Sequence, residues 1–435
     1  MADHPSFRET SSAGALIGRF ARPLPPPEHA AFGASFGRWS GRRILMLGEA
    51  SHGTADFYQA RAAVTRHMIE HHGFTIVAVE ADWPDAAVLN RYVRGLPLGD
   101  PSEPFQRFPR WMWRNGIIGD LLDWMRDWNR GKPAERQAGF YGLDMYNMSD
   151  AMQSVLAYLE QTDPGAAEIA RQRYGCLQPW LDRPGAYGRA ALTNGYHACE
   201  EAVIRQCRDL LERQNYGAEA LEAAQNARLI ASAERYYRIM YRGGADAWNL
   251  RDSHMCGTLS TLLKTAGPDA KAVVWAHNSH IGDARQGDMG QSMGEHNLGQ
   301  LARQEWGDQV ALIGFGTHEG TVTAASDWDD PAEVKTVRPS HPGSIERLCH
   351  DSGPSSFLLD MSTDPGLMEA LATPRLQRFI GVIYRPESEL LSHYMQTAVS
   401  RQYDGWIWFD RTSALVGAGS PGAQPDLPDT WPFGM

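Results

Sequence analysis

Glu49 and His52 stand three residues apart in the run LGEASHG (47–53), directly after the apolar run RRILML. A strand end needs a turn and little else, and a carboxylate and an imidazole placed there cost desolvation unless they are paired or used. Histidine titrates near neutrality, and a neighbouring carboxylate orients it and supports its protonated form, which suits it to draw a proton from water. Further along, VAVEADW brings Glu80 and Asp82, and AHNSH brings His277 and His280. Arg61 and Arg251 fall in helical stretches, from which a guanidinium can stabilise an oxyanion at a carbonyl carbon. Each residue also has a structural reading. Glu49 and His52 could serve a turn and a helix start, HxxH recurs by chance, and most helical arginines are solvated. Glu80 is harder to explain that way, because a carboxylate inside an apolar run needs a partner.

The elements that must position these groups alternate. Apolar, β-branched runs at 43–47, 75–80, 139–144, 271–276, 310–315, 356–360, 379–384 and 406–410 read as strands. Helical spacing lies between most of them, most clearly over 54–72 with Thr54 as N-cap and Gly73 as stop. This pattern predicts an α/β fold, a mostly parallel sheet with flanking helices. Residues 149–245 break the alternation and read as a helical insertion or lid, between a first half of the core (1–148, with a proline-rich linker at 22–29) and a second half (246–435, with a surface tail). In open α/β sheets the site lies outside the carboxyl ends of the strands. Glu49, His52, Glu80, Asp82, Asp144, His277, His280, His318, Glu319, Tyr384, Arg385, Asp410 and Arg411 all follow or end strands in this reading, and so converge on one edge. Trp111, in the aromatic run FPRWMWRN (108–115), is read as packing or as the wall of an apolar pocket.

Composition narrows the partners. The chain has 435 residues, 41 Lys and Arg against 52 Asp and Glu, a net charge of −11 and no long basic tract. Nucleic acid and anionic membrane are therefore not expected as partners. No run of apolar residues is long enough to span a bilayer, and the N-terminus lacks a signal pattern, so a cytoplasmic protein is expected. Five cysteines without a CxxC pair suit a reducing compartment, with Cys199 and Cys207 read as buried small hydrophobes. GASFG (33–37) spells a nucleophile elbow around Ser35 but lacks the strand before it, and GAGSPG (417–422) spells a dinucleotide fingerprint but has no helix behind it. With no nucleophilic side chain evident, hydrolysis by water activated on a base is the chemistry that fits. The same Glu and His types leave room for a divalent metal, and the residues alone do not separate the two.

The opening run ILMLGEASHGTADFYQARAAVTRHMIEHHGFTIVAVEADWPDAAVLNRYVRG resembles the start of the erythromycin esterase family. FYGLDMYNMSDAM, NLRDSHMCGTL, AVVWAHNSHIGDA and FIGVIYRPESELLSHYMQTAVSRQYDGWIWFDRTSAL resemble its later segments, in order over about 40–415. The resemblance implies an α/β core with a helical portion beside a deep cleft, and hydrolysis of a macrolide lactone in characterised members. Some relatives carry the label of succinoglycan biosynthesis proteins. It places the family's essential histidine on His52, the water-activating base, with its companion glutamate on Glu49, an arginine on Arg61 and the second-strand glutamate on Glu80. His277 and His280 share the AHNSH motif, and Arg251 and Tyr384 match further motifs. Arg251, Tyr384, Asp82 and Trp111 are the expected substrate contacts. The expected protein is a carboxylic ester hydrolase acting on a small ester or lactone, with no cofactor. The readings kept beside it are a metal-dependent hydrolase using the same Glu/His cluster and a non-catalytic protein that binds haem or a small ligand.

Overall fold

In the computed structural model, residues 7–98, 104–105, 109–193, 199–212, 217–328 and 330–416 are described. Phe108 of the aromatic run and the GAGSPG stretch lie outside them. The strands in chain order are β1 (Arg22–Pro23), β2 (Ile44–Leu47), β3 (Ile76–Asp82), β4 (Gly139–Asp144), β5 (Ala272–Trp275), β6 (Val310–Ala324), β7 (Glu333–Val337), β8 (Ser356–Asp360), β9 (Arg375–Arg378), β10 (Tyr394–Thr397) and β11 (Gly405–Thr412). The chain divides into two units: one built from the residues up to Val77, Tyr92–Gly139 and those from Ala266 on, the other from Ala78–Arg91 and Phe140–Thr265.

In the first unit the sheet runs β1-β8-β11-β6-β2-β5, with β7 on the far half of β6. β2 pairs in parallel with β5 and β6, and β11 in parallel with β6. β8 runs antiparallel to β11, and β1 to β8. Every residue of β2 and β5 is buried. That is why ILML and AVVW read as unbroken apolar runs: strands covered on both faces have no polar side to alternate with. The helix Ala55–His72 follows β2 and ends where Gly73 turns left-handed at φ 71°. Glycine has no Cβ penalty in that conformation. Thr54 occupies the N-cap position, but its hydroxyl bonds Ser51 rather than a helix amide.

Two expectations are corrected here. The run 379–384 is not a strand. Its backbone groups serve isolated bridges to Ser51 and Ala325, and Ile380 exchanges hydrogen bonds with the loop after β2. The run is apolar because Phe379, Ile380 and Tyr384 are buried, which a strand and a packed loop require equally. The ladder in that region is instead β9 with β10, a separate two-stranded sheet. The cysteines also differ from the reading of Cys199 as a buried small hydrophobe alone. Cys176 and Cys199 are disulfide-bonded, with Cα atoms 5.9 Å apart, while Cys207, Cys256 and Cys349 are free and buried.

The second unit carries the ends of the neighbouring strands β3 and β4 and then a run of helices with no strand among the described residues from 149 to 265. Asn147 and Asp163 cap the first two of these helices, accepting from the amides of Asp150 and Ala166. The long helix Ala218–Ile239 buries Ala220, Ala223, Ala224 and Ala227, small side chains that let the helices Met148–Thr162 and Glu200–Glu212 pack against it. No helix among the described residues is long and apolar enough to cross a membrane.

Candidate active site

β2 and β5 are in register, Leu47 beside Trp275, so the segments after them leave the sheet side by side. The Asn278 amide donates to the Glu49 carbonyl at 2.9 Å, and the Asn278 side chain bridges to the backbone of Phe315 on β6. From the other side, Ile380 donates to the Ala50 carbonyl at 2.8 Å and accepts from the His52 amide at 3.3 Å. The loop carrying Glu49 and His52 is therefore held from both flanks.

On that frame the side chains form a relay. His52 Nδ1 lies 2.9 Å from Glu49 Oε1, and Arg61 Nη2 donates to Glu49 Oε2 at 2.7 Å. All three are buried, Arg61 completely. Its guanidinium is clasped between the rings of Tyr58 and Trp275, 4.4 and 4.7 Å from their centroids. Trp275 is itself fixed by donating to Thr65 Oγ1 at 2.9 Å. Cation–π contact of this kind is worth more when desolvated, and it compensates for the Arg61 Nε and Nη1 atoms, which have no hydrogen-bond partner among the described residues. The His277 ring lies 4.8 Å from the His52 ring, centroid to centroid, with its Nδ1 2.8 Å from Ser279 Oγ. His277 caps the short helix Asn278–Ile281, within which His280 is also buried.

In the second unit a separate charge cluster forms. Arg251, on the helix Asp246–Ala266, meets Asp144 through both Nε and Nη2, at 3.1 and 2.6 Å, and reaches Glu80 Oε1 at 2.8 Å. Its Cζ sits 5.1 Å above the Tyr146 ring. Burial opposes the Arg251 charge, but Asp144, Tyr146 and Glu80 outweigh it and hold the guanidinium well above its ordinary pKa. Burial pushes the Tyr146 phenol well above its usual range despite Arg251, so it stays protonated. This is the partner that the apolar context of Glu80 demanded. Asp82 accepts from the Tyr146 amide. Asp144, visible beforehand only as a strand end, is the carboxylate Arg251 grips with two nitrogens. The signal was GLDMYN itself, which gave no hint of the arginine more than a hundred residues away.

The remaining residues are placed elsewhere. The Tyr384 hydroxyl donates to Glu389 Oε1 at 2.7 Å, with its side chain wholly buried. Trp111 is buried in the short helix Arg110–Met112. β6 runs on through His318 and Glu319 instead of ending before them. His318 bonds Ser340 and stacks on His350, which pairs with Asp410, while Glu319 pairs with Arg411.

Residues 69–412 match the family described as erythromycin esterase. The chain belongs to that family. It is 22% identical over 402 residues to YbfO of Bacillus subtilis (strain 168), covering 86% of this chain and 85% of that one. It is 20% identical over 395 residues to the erythromycin esterase type II of Escherichia coli, covering 85% and 90%. The crystal structure of a succinoglycan biosynthesis protein shares the fold at a TM-score of 0.78 and 19% identity, covering 94% of this chain and 99% of that one. Membership makes the chain a relative of hydrolases.

Within this esterase-family fold, Gly53 is a tight point. A Cβ there would overlap the backbone carbonyl of Thr323, whose amide already donates to the Gly53 carbonyl at 2.9 Å. Gly53→Ala is expected to cost about 1–3 kcal/mol, the range for overpacking. It should also lower turnover, because the displaced residue adjoins His52. Thermal melting and initial rates measured on the same preparation check both effects.

Proposed function

We propose that the protein hydrolyses a carboxylic ester or lactone with water activated by His52 and without a covalent intermediate. The observation that carries this reading is the contact of His52 Nδ1 with Glu49. A carboxylate at Nδ1 holds the proton on that nitrogen and leaves Nε2 as the basic one. Arg61 neutralises Glu49 from its other oxygen and fixes its rotamer. His277, beside His52, is assigned to polarise the carbonyl and to donate to the oxyanion that forms when hydroxide adds. The proton that His52 takes from water then passes to the leaving alkoxide, so the base ends the cycle as it began. Arg251 and Glu80 are assigned to substrate positioning or to the integrity of the second unit, which their variants distinguish. The wiring of Glu49, both oxygens engaged by imidazole and guanidinium, suits a base-orienting carboxylate better than a metal ligand. The named relatives support a macrolide lactone as one substrate to try. The test is mass spectrometry of a macrolide and of a panel of simpler esters and lactones after incubation with purified protein. Gain of one water by any of them, lost in His52→Asn, supports the reading and identifies the substrate class. No gain on the whole panel would overturn it.

A further inference from the structure

The far end of the helix Ala55–His72 carries His67, His71 and His72, none of which takes part in the chemistry above. The Nε2 atoms of His67 and His72 face each other at 3.3 Å. As a hydrogen bond that is long. As a chelate it is well spaced, since two nitrogens each 2.0–2.1 Å from a tetrahedral ion lie about 3.3–3.4 Å apart. His71 stands one helical turn after His67, with ring centroids 4.6 Å apart. Its side chain is 58% exposed, and its Nε2 is 3.6 Å from a Glu70 carboxylate oxygen. The surroundings fix His67 and leave an approach open. Gly33 packs so closely on it that any larger residue would collide with the His67 Cβ, while His67 and His71 also line a cavity of about 430 Å³ together with Glu28, His29 and Glu70. The nearby Lys271 ammonium is engaged by the carbonyls of Ser40 and His72, at 3.0 and 3.1 Å.

We propose that His67 and His72 chelate a divalent transition metal, with water and a rotated His71 completing its shell. Among the described residues no three His, Cys, Asp or Glu side chains already surround an ion position, so the protein brings two nitrogens in this conformation. Imidazole donors suit zinc and copper(II). Magnesium and calcium, which take oxygen ligands, are not expected there.

The experiment is calorimetric titration of the tag-free full chain with zinc chloride in a non-chelating buffer. The wild-type protein is expected to bind one equivalent. His67→Gln and His72→Gln should each weaken binding at least about tenfold, the loss of one of two protein ligands, and His71→Gln should weaken it less. Melting curves check that the variants are folded. Copper(II) added to wild-type protein gives a second readout that needs no variant, with coupling to two imidazole nitrogens expected in its electron paramagnetic resonance spectrum. Absence of saturable zinc binding, affinity unchanged in both His67→Gln and His72→Gln, or a copper spectrum with oxygen ligands alone would each overturn the proposal.

Discussion

His52→Asn is expected to lower the turnover of the ester this protein cleaves by about 10²–10⁴-fold, the usual contribution of a general base. Its melting temperature should stay near that of the parent. Asparagine keeps an N–H near the position of Nδ1, so Glu49 retains a donor there as well as its ion pair with Arg61 at 2.7 Å. No buried carboxylate is left unpaired, and the large penalty for that is avoided. What asparagine lacks is a basic nitrogen at the position of Nε2. The loss should therefore fall on kcat and leave KM little changed, the sign of an interaction made only in the transition state. Glu49→Gln separates the relay from the base. It keeps the histidine but removes the negative charge beside it, and it leaves the buried Arg61 cation, between the faces of Tyr58 and Trp275, without a counter-ion. That variant should lose both rate and stability. Undiminished turnover in His52→Asn would move the base elsewhere and end this assignment.

Why the first cluster could be read from the sequence and the second only in part is a matter of distance along the chain. Glu49, His52 and Arg61 lie within thirteen positions of one another, on a strand end and the helix that follows it. Local geometry alone brings such residues together. His277 was reachable because a parallel β2–β5 pair aligns the ends of its two strands. The grip of Arg251 on Asp144 and Glu80 depends on how a helix from the insertion meets β3 and β4, and nothing in the spacing of NLRDSHM encodes that. The same limit explains the run 379–384. Its apolar residues announce burial, but whether a buried segment joins a ladder depends on its neighbours, and here the loop after β2 takes the hydrogen bonds of Ile380. β8 misled in another way, since apolar composition identifies a buried strand without giving its direction, and this one is antiparallel to both partners.

Removing the Arg251 charge should have the largest effect on stability. Arg251→Met keeps most of the side chain's volume but leaves Glu80 and Asp144 buried without their shared cation, 6% and 3% exposed. Breaking a buried ion pair from one side costs about 3–5 kcal/mol, and here two carboxylates lose their partner together. They would also face each other as like charges. Urea unfolding of both proteins at neutral pH measures the deficit of Arg251→Met. Adding Glu80→Gln to Arg251→Met should recover part of the loss, because a neutral amide removes the repulsion while keeping the shape. A deficit unrelieved by the second substitution would mean that Arg251 matters through packing on Tyr146 and not through its charge. If the charge account holds and ester hydrolysis survives in the doubly substituted protein, Arg251 and Glu80 belong to the architecture of the second unit. If stability returns without activity, they belong to the handling of substrate.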